Sequence, residues 1–169
     1  LEKNQALVQL ITNIFKNKKV IIDNNFSILV NLGPGSFSGI RISIAIAKGI
    51  KIAKKINIYG YNNFLLYFAN YLNTKKNIIS IHKTKNIYYF VEAKFNNGYQ
   101  FSVPKKVNFE KINRKNCLII IPEELKNNEN FSKFNKNKLR YVKFSPNNVD
   151  LLIKNHLLQN KLIKPLYLS

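Results

Sequence analysis

Apolar positions recur at three- and four-residue spacing over Gln5–Lys16, with Leu7, Leu10, Ile11 and Ile14 on one face and Val8 and Phe15 beside it. Gln9, Thr12, Asn13 and Lys16 make the wet side, so this segment predicts an amphipathic helix. A short apolar piece, Val20–Ile22, is bracketed by polar runs, and Phe26–Asn31 (FSILVN) predicts a short buried strand. Ile40–Lys54 again reads as helix, without internal proline. A strand over Ile56–Gly60 and a helix over Asn62–Leu72 follow. Phe64, Leu65, Phe68 and Leu72 supply that helix with core positions.

Beyond Asn73-Thr74-Lys75-Lys76, which reads as a hinge, the period switches from helix to strand. Strands are expected at Asn77–Ile81 and Ile87–Phe95, then at Tyr99–Val103 after an Asn96-Asn97-Gly98 turn signal. Cys117–Ile121 and Leu139–Phe144 complete the set. The Asn- and Lys-rich stretch Lys126–Lys138 is expected to be a mobile loop. Ser145-Pro146 gives an N-cap followed by proline at the first helical position, opening a last helix to about Gln159. The pattern predicts an α/β chain in two small lobes, 1–74 and 75–169.

Between the first strand and second helix lies Gly33-Pro34-Gly35-Ser36-Phe37-Ser38-Gly39-Ile40-Arg41. Two glycines around a proline make a stiff, sharp turn. Ser36 or Ser38 is placed to cap the amides of the first helical turn, where an anion or a partner backbone can also sit. The glycines fall as GxGxxxG, one residue too long for the dinucleotide fingerprint, and no acidic residue lies at the ribose-binding distance. No Lys-Ser/Thr pair closes a Walker loop. Phe37 occupies the place of a nucleophile serine. A strand-to-helix turn without chemistry is the plain reading of these residues.

The nine-residue string as a whole resembles the G-P-G-S-F-T-G-[IV]-R signature of the bacterial TsaB (YeaZ-type) subunits of the tRNA threonylcarbamoyladenosine synthesis complex. Ser38 stands for the usual Thr, and Ser43 for a frequent second Gly. The likeness continues through Ala45-Ile46-Ala47-Lys48-Gly49 and the strand Ile56–Gly60. It returns in Pro165-Leu166-Tyr167-Leu168, where Ser169 replaces a terminal Arg. It implies an actin/hexokinase-like (ASKHA) fold. Such proteins open with a strand hairpin carrying an early acidic residue. Nothing near Leu1 corresponds to it, so that N-terminal hairpin is expected to be missing.

Composition modifies this picture in two places. The net charge of +20 would ordinarily indicate nucleic acid. Yet the basic residues are nearly all Lys, with Arg only at 41, 114 and 140, amid abundant Asn, Ile, Tyr and Phe. AT-rich codons supply these same residues, so drift explains much of the charge, with selected RNA binding as the alternative. Lone Cys117 cannot form an internal disulfide, which fits a reducing, cytoplasmic setting. No signal-peptide or membrane-spanning pattern is visible.

The catalytic inventory is thin. The eight acids are scattered, and only Glu123 and Glu124 are adjacent. His82 and His156 lack metal-ligand spacing. His82-Lys83-Thr84 stands where TsaB-like chains carry a D-A-R-like segment. No catalytic residue, metal or cofactor is expected. The helix Ile40–Lys54 is apolar nearly all round, with a narrow stripe of Arg41, Lys48, Lys51 and Lys55. Ala45, Gly49 and Ala53 form a line of small residues that lets another helix approach closely. That helix packs either inside the chain or against a partner.

The resemblance favours the partner, with Leu7, Leu10, Ile11, Ile14, Arg41, Ala45, Lys48, Gly49 and Ile52 at an interface and Gly33–Gly39 as structural loop. It implies a non-catalytic dimerisation subunit. Its implied partners are a TsaD-type catalytic paralogue, a TsaE-type ATPase and, through the complex, tRNA, with homodimerisation as a further possibility. An ASKHA-type enzyme (kinase or glycoprotease-like) and a basic RNA-binding module remain open beside it.

Overall fold

The computed structural model describes residues 2–168 apart from Asn24, Lys115, Lys161 and Leu162, and without the side chains of residues 2–5 and 114. Ser169, one of the departures from the family terminus, therefore lies outside the described residues, as does Leu1. Among the described residues no helix is long and apolar enough to cross a membrane.

The chain divides into two compact units, residues 1–61 with 158–165, and residues 62–157 with 166–169. The sequence pattern put its division at residue 74 instead. The difference lies in the third helix, whose Phe64, Leu66 and Phe68 are buried in the second unit. Three side chains of that size assign the helix to whichever sheet covers them.

The first unit is built from α1 (Glu2–Asn17), β1 (Ser27–Asn31), α2 (Phe37–Lys54) and β2 (Asn57–Tyr61). β1 and β2 pair in parallel, Ser27 opposite Asn57 through Asn31 opposite Tyr61. The ladder extends by the Leu32 amide donating to the Tyr61 carbonyl at 2.7 Å. On the other edge of β2, Gly60 and Gln159 exchange amide–carbonyl bonds of 2.7 and 2.8 Å, which ties residues 158–165 into this unit. Val30, Leu32, Ile44, Ala47, Ile58 and Ile163 form the core. Gly60 is required by close approach: a Cβ there would stand 2.6 Å from Leu32 Cδ1.

The second unit opens with α3 (Asn63–Phe68), which tightens into a 3-10 helix over Ala69–Thr74. The segment read as a hinge is thus the end of that helix, closed by Lys75 at φ 54°. Six strands follow: β3 (Ile78–Thr84), β4 (Ile87–Phe95), β5 (Tyr99–Phe101), β6 (Lys105–Lys106), β7 (Leu118–Pro122) and β8 (Leu139–Val142). The sheet order is β5-β4-β3-β7-β8, with β6 also on β4; β3, β7 and β8 are mutually parallel. The expected Asn96-Asn97-Gly98 hairpin turn is present, with Asn97 and Gly98 both at positive φ.

One sheet face holds Ile79, Ile81, Ile119 and Ile121 over α4 (Phe109–Arg114) and the aromatic residues of the 123–138 segment. α3 meets the sheet at β3 and β7, and it also packs on α5 (Pro146–Lys154). The α5 residue Asn148, buried, donates from Nδ2 to the Leu66 carbonyl at 3.3 Å. Ser145 caps α5 with Pro146 behind it, as the sequence predicts, but the helix stops at Lys154 rather than near Gln159.

Residues 126–138 correct a second expectation. Phe131 and Phe134 are buried in the main core of this unit, 3% and 5% exposed, and a 3-10 turn runs over Glu129–Phe131. Asn128 and Asn135 accept from amides two residues ahead, closing Asx turns on both sides. The polar composition belongs to caps and solvent positions, while two aromatic anchors hold the segment to the sheet.

Candidate partner interface

The glycine loop follows from the way β1 ends. Asn31 turns its Oδ1 to the Gly33 amide at 2.8 Å, and Gly33 adopts φ 108°, a conformation in which a side chain costs about 1 kcal/mol or more. The Gly33–Pro34 peptide is cis. Leu32, Gly33 and Pro34 are buried, whereas Gly35, Ser36, Phe37 and Ser38 are exposed. α2 begins at Phe37, three residues earlier than the periodicity suggested, because Ser36 is its cap. Ser36 Oγ accepts from the Gly39 amide at 3.4 Å, and its carbonyl accepts from the Ile40 amide. Ser38 lies inside the helix with its hydroxyl 3.4 Å from that of Ser36.

Truncating the cap discriminates the two serines. Ser36→Ala should cost the first unit about 1 kcal/mol, the usual value of an N-cap hydroxyl. Ser38→Ala should fall within about 0.5 kcal/mol of the parent, as substitutions away from caps and core do. Equilibrium urea denaturation of both variants checks the order.

Along α2 the buried side is Ile44 and Ala47. Turning outward are Phe37, Arg41, Ala45, Lys48, Gly49 and Ile52, all exposed, with Ile52 at 80%. A Cβ built on Gly49 meets nothing within 4 Å. The line of small residues thus borders open space, not the sheet. Ala53, its third member, departs from this line and borders a groove with α1. Arg41, placed at the unfavourable positive end of the helix, has its guanidinium carbon 3.9 Å above the centre of the Phe37 ring.

α1 borders two grooves of this unit, and its Phe15 ring meets Phe26 edge-on at 6.0 Å. Leu7, Ile11, Ile14 and Phe15 line an apolar cavity of about 430 Å³ with the length of β1 and with Ser43, Ile46, Ala47 and Ile50 of α2. Leu7 and Ile11 are half-buried there, while Leu10 and Ile14 remain 59% and 55% exposed. Of the four α1 positions singled out in sequence, Leu7, Ile11 and Ile14 therefore border the cavity, Ile14 while mostly exposed, and Leu10 is in solvent.

The second unit carries a different polar feature. Ser80, His82 and Thr84 alternate along β3, and Ser80 Oγ, His82 Nδ1 and Thr84 Oγ1 are buried without a hydrogen-bond partner. Tyr67 of α3 stacks on the His82 ring at 6.0 Å, and Phe64 meets it edge-on. Burial pushes the Tyr67 hydroxyl up to about 12, helped by the Glu124 carboxylate. Burial also lowers the His82 imidazole, against an opposing pull from Glu124. Spacing alone did not reveal this row, because its neighbours come from α3 and from the segment after β7. Cys117 is buried in the core immediately before β7, which starts one residue later than the expected strand.

Because folding lowers the affinity of His82 for a proton, the unfolded chain binds more protons and stability rises with pH. The contribution is present above the ordinary imidazole value of about 6.5 and is lost as pH falls below it. Melting temperature should therefore drop between about pH 8 and pH 5, and the drop should shrink in His82→Phe. Calorimetry across that interval measures both slopes; equal slopes would remove His82 as the cause.

Comparison with known proteins adds to this geometry. The family model for TsaD, tRNA N6-adenosine threonylcarbamoyltransferase, matches residues 2–132. The chain belongs to the TsaD family. One curated relative, the tRNA threonylcarbamoyladenosine biosynthesis protein TsaB of Buchnera aphidicola subsp. Schizaphis graminum, is 26% identical over 164 residues, covering 89% of this chain and 76% of the relative. Two solved structures from Pseudomonas aeruginosa share the fold at 12% identity. One is described as similar to the peptidase YEAZ, with a TM-score of 0.65, covering 98% of this chain and 83% of its own. The other is YeaZ, with a TM-score of 0.63, covering 97% and 84%. The expected α/β fold of the actin/hexokinase-like (ASKHA) class is thereby established.

Proposed function

We propose that this chain takes part in tRNA threonylcarbamoyladenosine biosynthesis as a non-catalytic subunit. In this reading it pairs with a TsaD-type catalytic paralogue through the outer faces of α1 and α2. One observation carries the pairing: Ala45, Gly49 and Ile52 form a small and apolar strip that faces solvent, with open space over Gly49. Burial of such a strip against a second helix is favourable, and the missing side chain at Gly49 permits an approach near the short end of the usual 8–10 Å separation. Leu10 and Ile14 add exposed apolar surface on α1. Arg41 and Lys48 supply polar contacts at the rim of the strip. The loop Gly33–Gly39 holds the start of α2 and does no chemistry, since the Gly33, Gly39 and Ile40 amides already have acceptors within the loop. A TsaE-type ATPase and tRNA join through the assembled complex.

Co-expression with a TsaD-type paralogue tests the pairing. The expected result is a complex of defined stoichiometry by native mass spectrometry, weakened by Arg41→Ala without a change in this chain's melting temperature. A loss of melting temperature with undiminished association would make Arg41 a fold contact instead. Self-association of this chain alone through the same face, with no affinity for the paralogue, would replace the heterodimer by a homodimer.

A further inference from the structure

β8 is the last strand in the order of the second unit's sheet, and basic side chains are numerous in and before it. Residues 126–144 carry six basic side chains against a single acid, Glu129. Lys143 pairs with Glu123 at 3.3 Å, which leaves Lys126, Lys133, Lys136, Lys138 and Arg140 outside that ion pair. Lys126, Lys133, Lys136, Arg140 and Lys143 are all exposed. Two aromatic rings stand among them: Phe144 is 60% exposed and Tyr141 38%, with Lys126 Nζ 5.8 Å from the Tyr141 ring centre.

This edge is not a floppy basic tail. Phe131 and Phe134 fix the preceding segment in the core, Asx turns close it locally, and Arg140 donates from Nη1 to the carbonyls of Asn137 and Leu139 at 3.1 and 2.7 Å. The backbone that carries these cations and rings, and the Arg140 guanidinium, are therefore ordered before any ligand arrives, which reduces the ordering cost of binding.

We infer that the β8 edge, with the 126–138 segment beside it, is a binding surface for single-stranded RNA. Phosphates along such a strand are neutralised by the spaced lysines, and unstacked bases cover the Tyr141 and Phe144 rings. A duplex hides its base faces, and an acidic peptide neutralises charge but has no base to stack, so neither uses both features. The inference does not rest on the pairing proposed above, because it concerns the isolated chain and the other unit.

Fluorescence anisotropy with a labelled single-stranded RNA of about a dozen nucleotides, at fixed salt, tests it. Phe144→Ser and Tyr141→Ser should each weaken binding about tenfold, with the far-ultraviolet circular dichroism unchanged. Lys133→Gln with Lys136→Gln should lower the logarithmic salt slope by about 1.4, the value for two phosphate contacts on a single strand. The equal charge change Lys105→Gln with Lys106→Gln, on β6 at the far side of the same sheet, should leave the slope in place. Equal losses at both edges would reduce the effect to the general positive field and overturn the inference. So would duplex RNA or polyglutamate competing as well as the single strand.

Discussion

Gly49→Leu is expected to leave the isolated chain as stable as the parent, or more stable by up to about 1 kcal/mol, while weakening association with the partner about 5- to 150-fold. The two effects separate because of where Gly49 stands. It is exposed in the middle of α2, and a Cβ there touches nothing within 4 Å, so leucine relieves the helix of its poorest former without a clash. A partner helix seated on Ala45 and Gly49 meets four new carbon atoms, and overpacking of that kind costs about 1–3 kcal/mol. Thermal denaturation of the chain and titration with the paralogue report the two quantities independently. Unchanged affinity would move the partner elsewhere; a fall in stability would mean that the small-residue line is packed within the chain.

Phe131→Ala is expected to destabilise the second unit by about 3–5 kcal/mol, a large share of what an ordinary domain has. Phe131 is 3% exposed and contacts the rings of Tyr88, Phe109 and Phe134 at 6.0, 5.6 and 5.7 Å. Lys133→Gln, two residues away and exposed, should stay within about 0.5 kcal/mol of the parent. Denaturation followed by near-ultraviolet circular dichroism makes the comparison. Equal, small effects at both positions would return residues 126–138 to the mobile loop that their composition suggested.

That segment marks the limit of what pattern reveals here. Elements whose apolar residues repeat against each other were legible: α2, β3, β4 and the cap at Ser145 lie close to where period and punctuation put them. The 126–138 stretch was misread because its asparagines and lysines outnumber two phenylalanines three residues apart, and three residues is one turn of a helix. α4 went unread for a similar reason. It has six residues, yet Asn108 caps it by accepting from the Lys111 amide at 3.0 Å, and Phe109 and Ile112 give it a core side. A search for Asx caps before short apolar pairs finds both.

Of the candidate interface, the composition of α2 was legible and its exposure was not. Helical spacing places Arg41, Ala45, Lys48, Gly49 and Ile52 together, but only the packing of Ile44 and Ala47 on the other side shows that this group faces solvent. Helix α1 divides differently from its apolar stripe, since Leu7 and Ile11 turn toward β1 and α2 while Leu10 stays outside. The buried row Ser80, His82 and Thr84 was not read from the sequence. Its lack of partners depends on what α3 lays over it, which no local pattern contains.

The central claim is that this chain supports threonylcarbamoyl transfer to tRNA without performing it. Reconstitution with a TsaD-type paralogue, a TsaE-type ATPase, tRNA and the activated threonylcarbamoyl donor measures this directly. The account predicts no modified adenosine from this chain alone, full formation with all components, and a loss on omitting the chain or on Gly49→Leu that excess chain partly restores. Modification by the isolated chain, or undiminished modification in its absence, would contradict it.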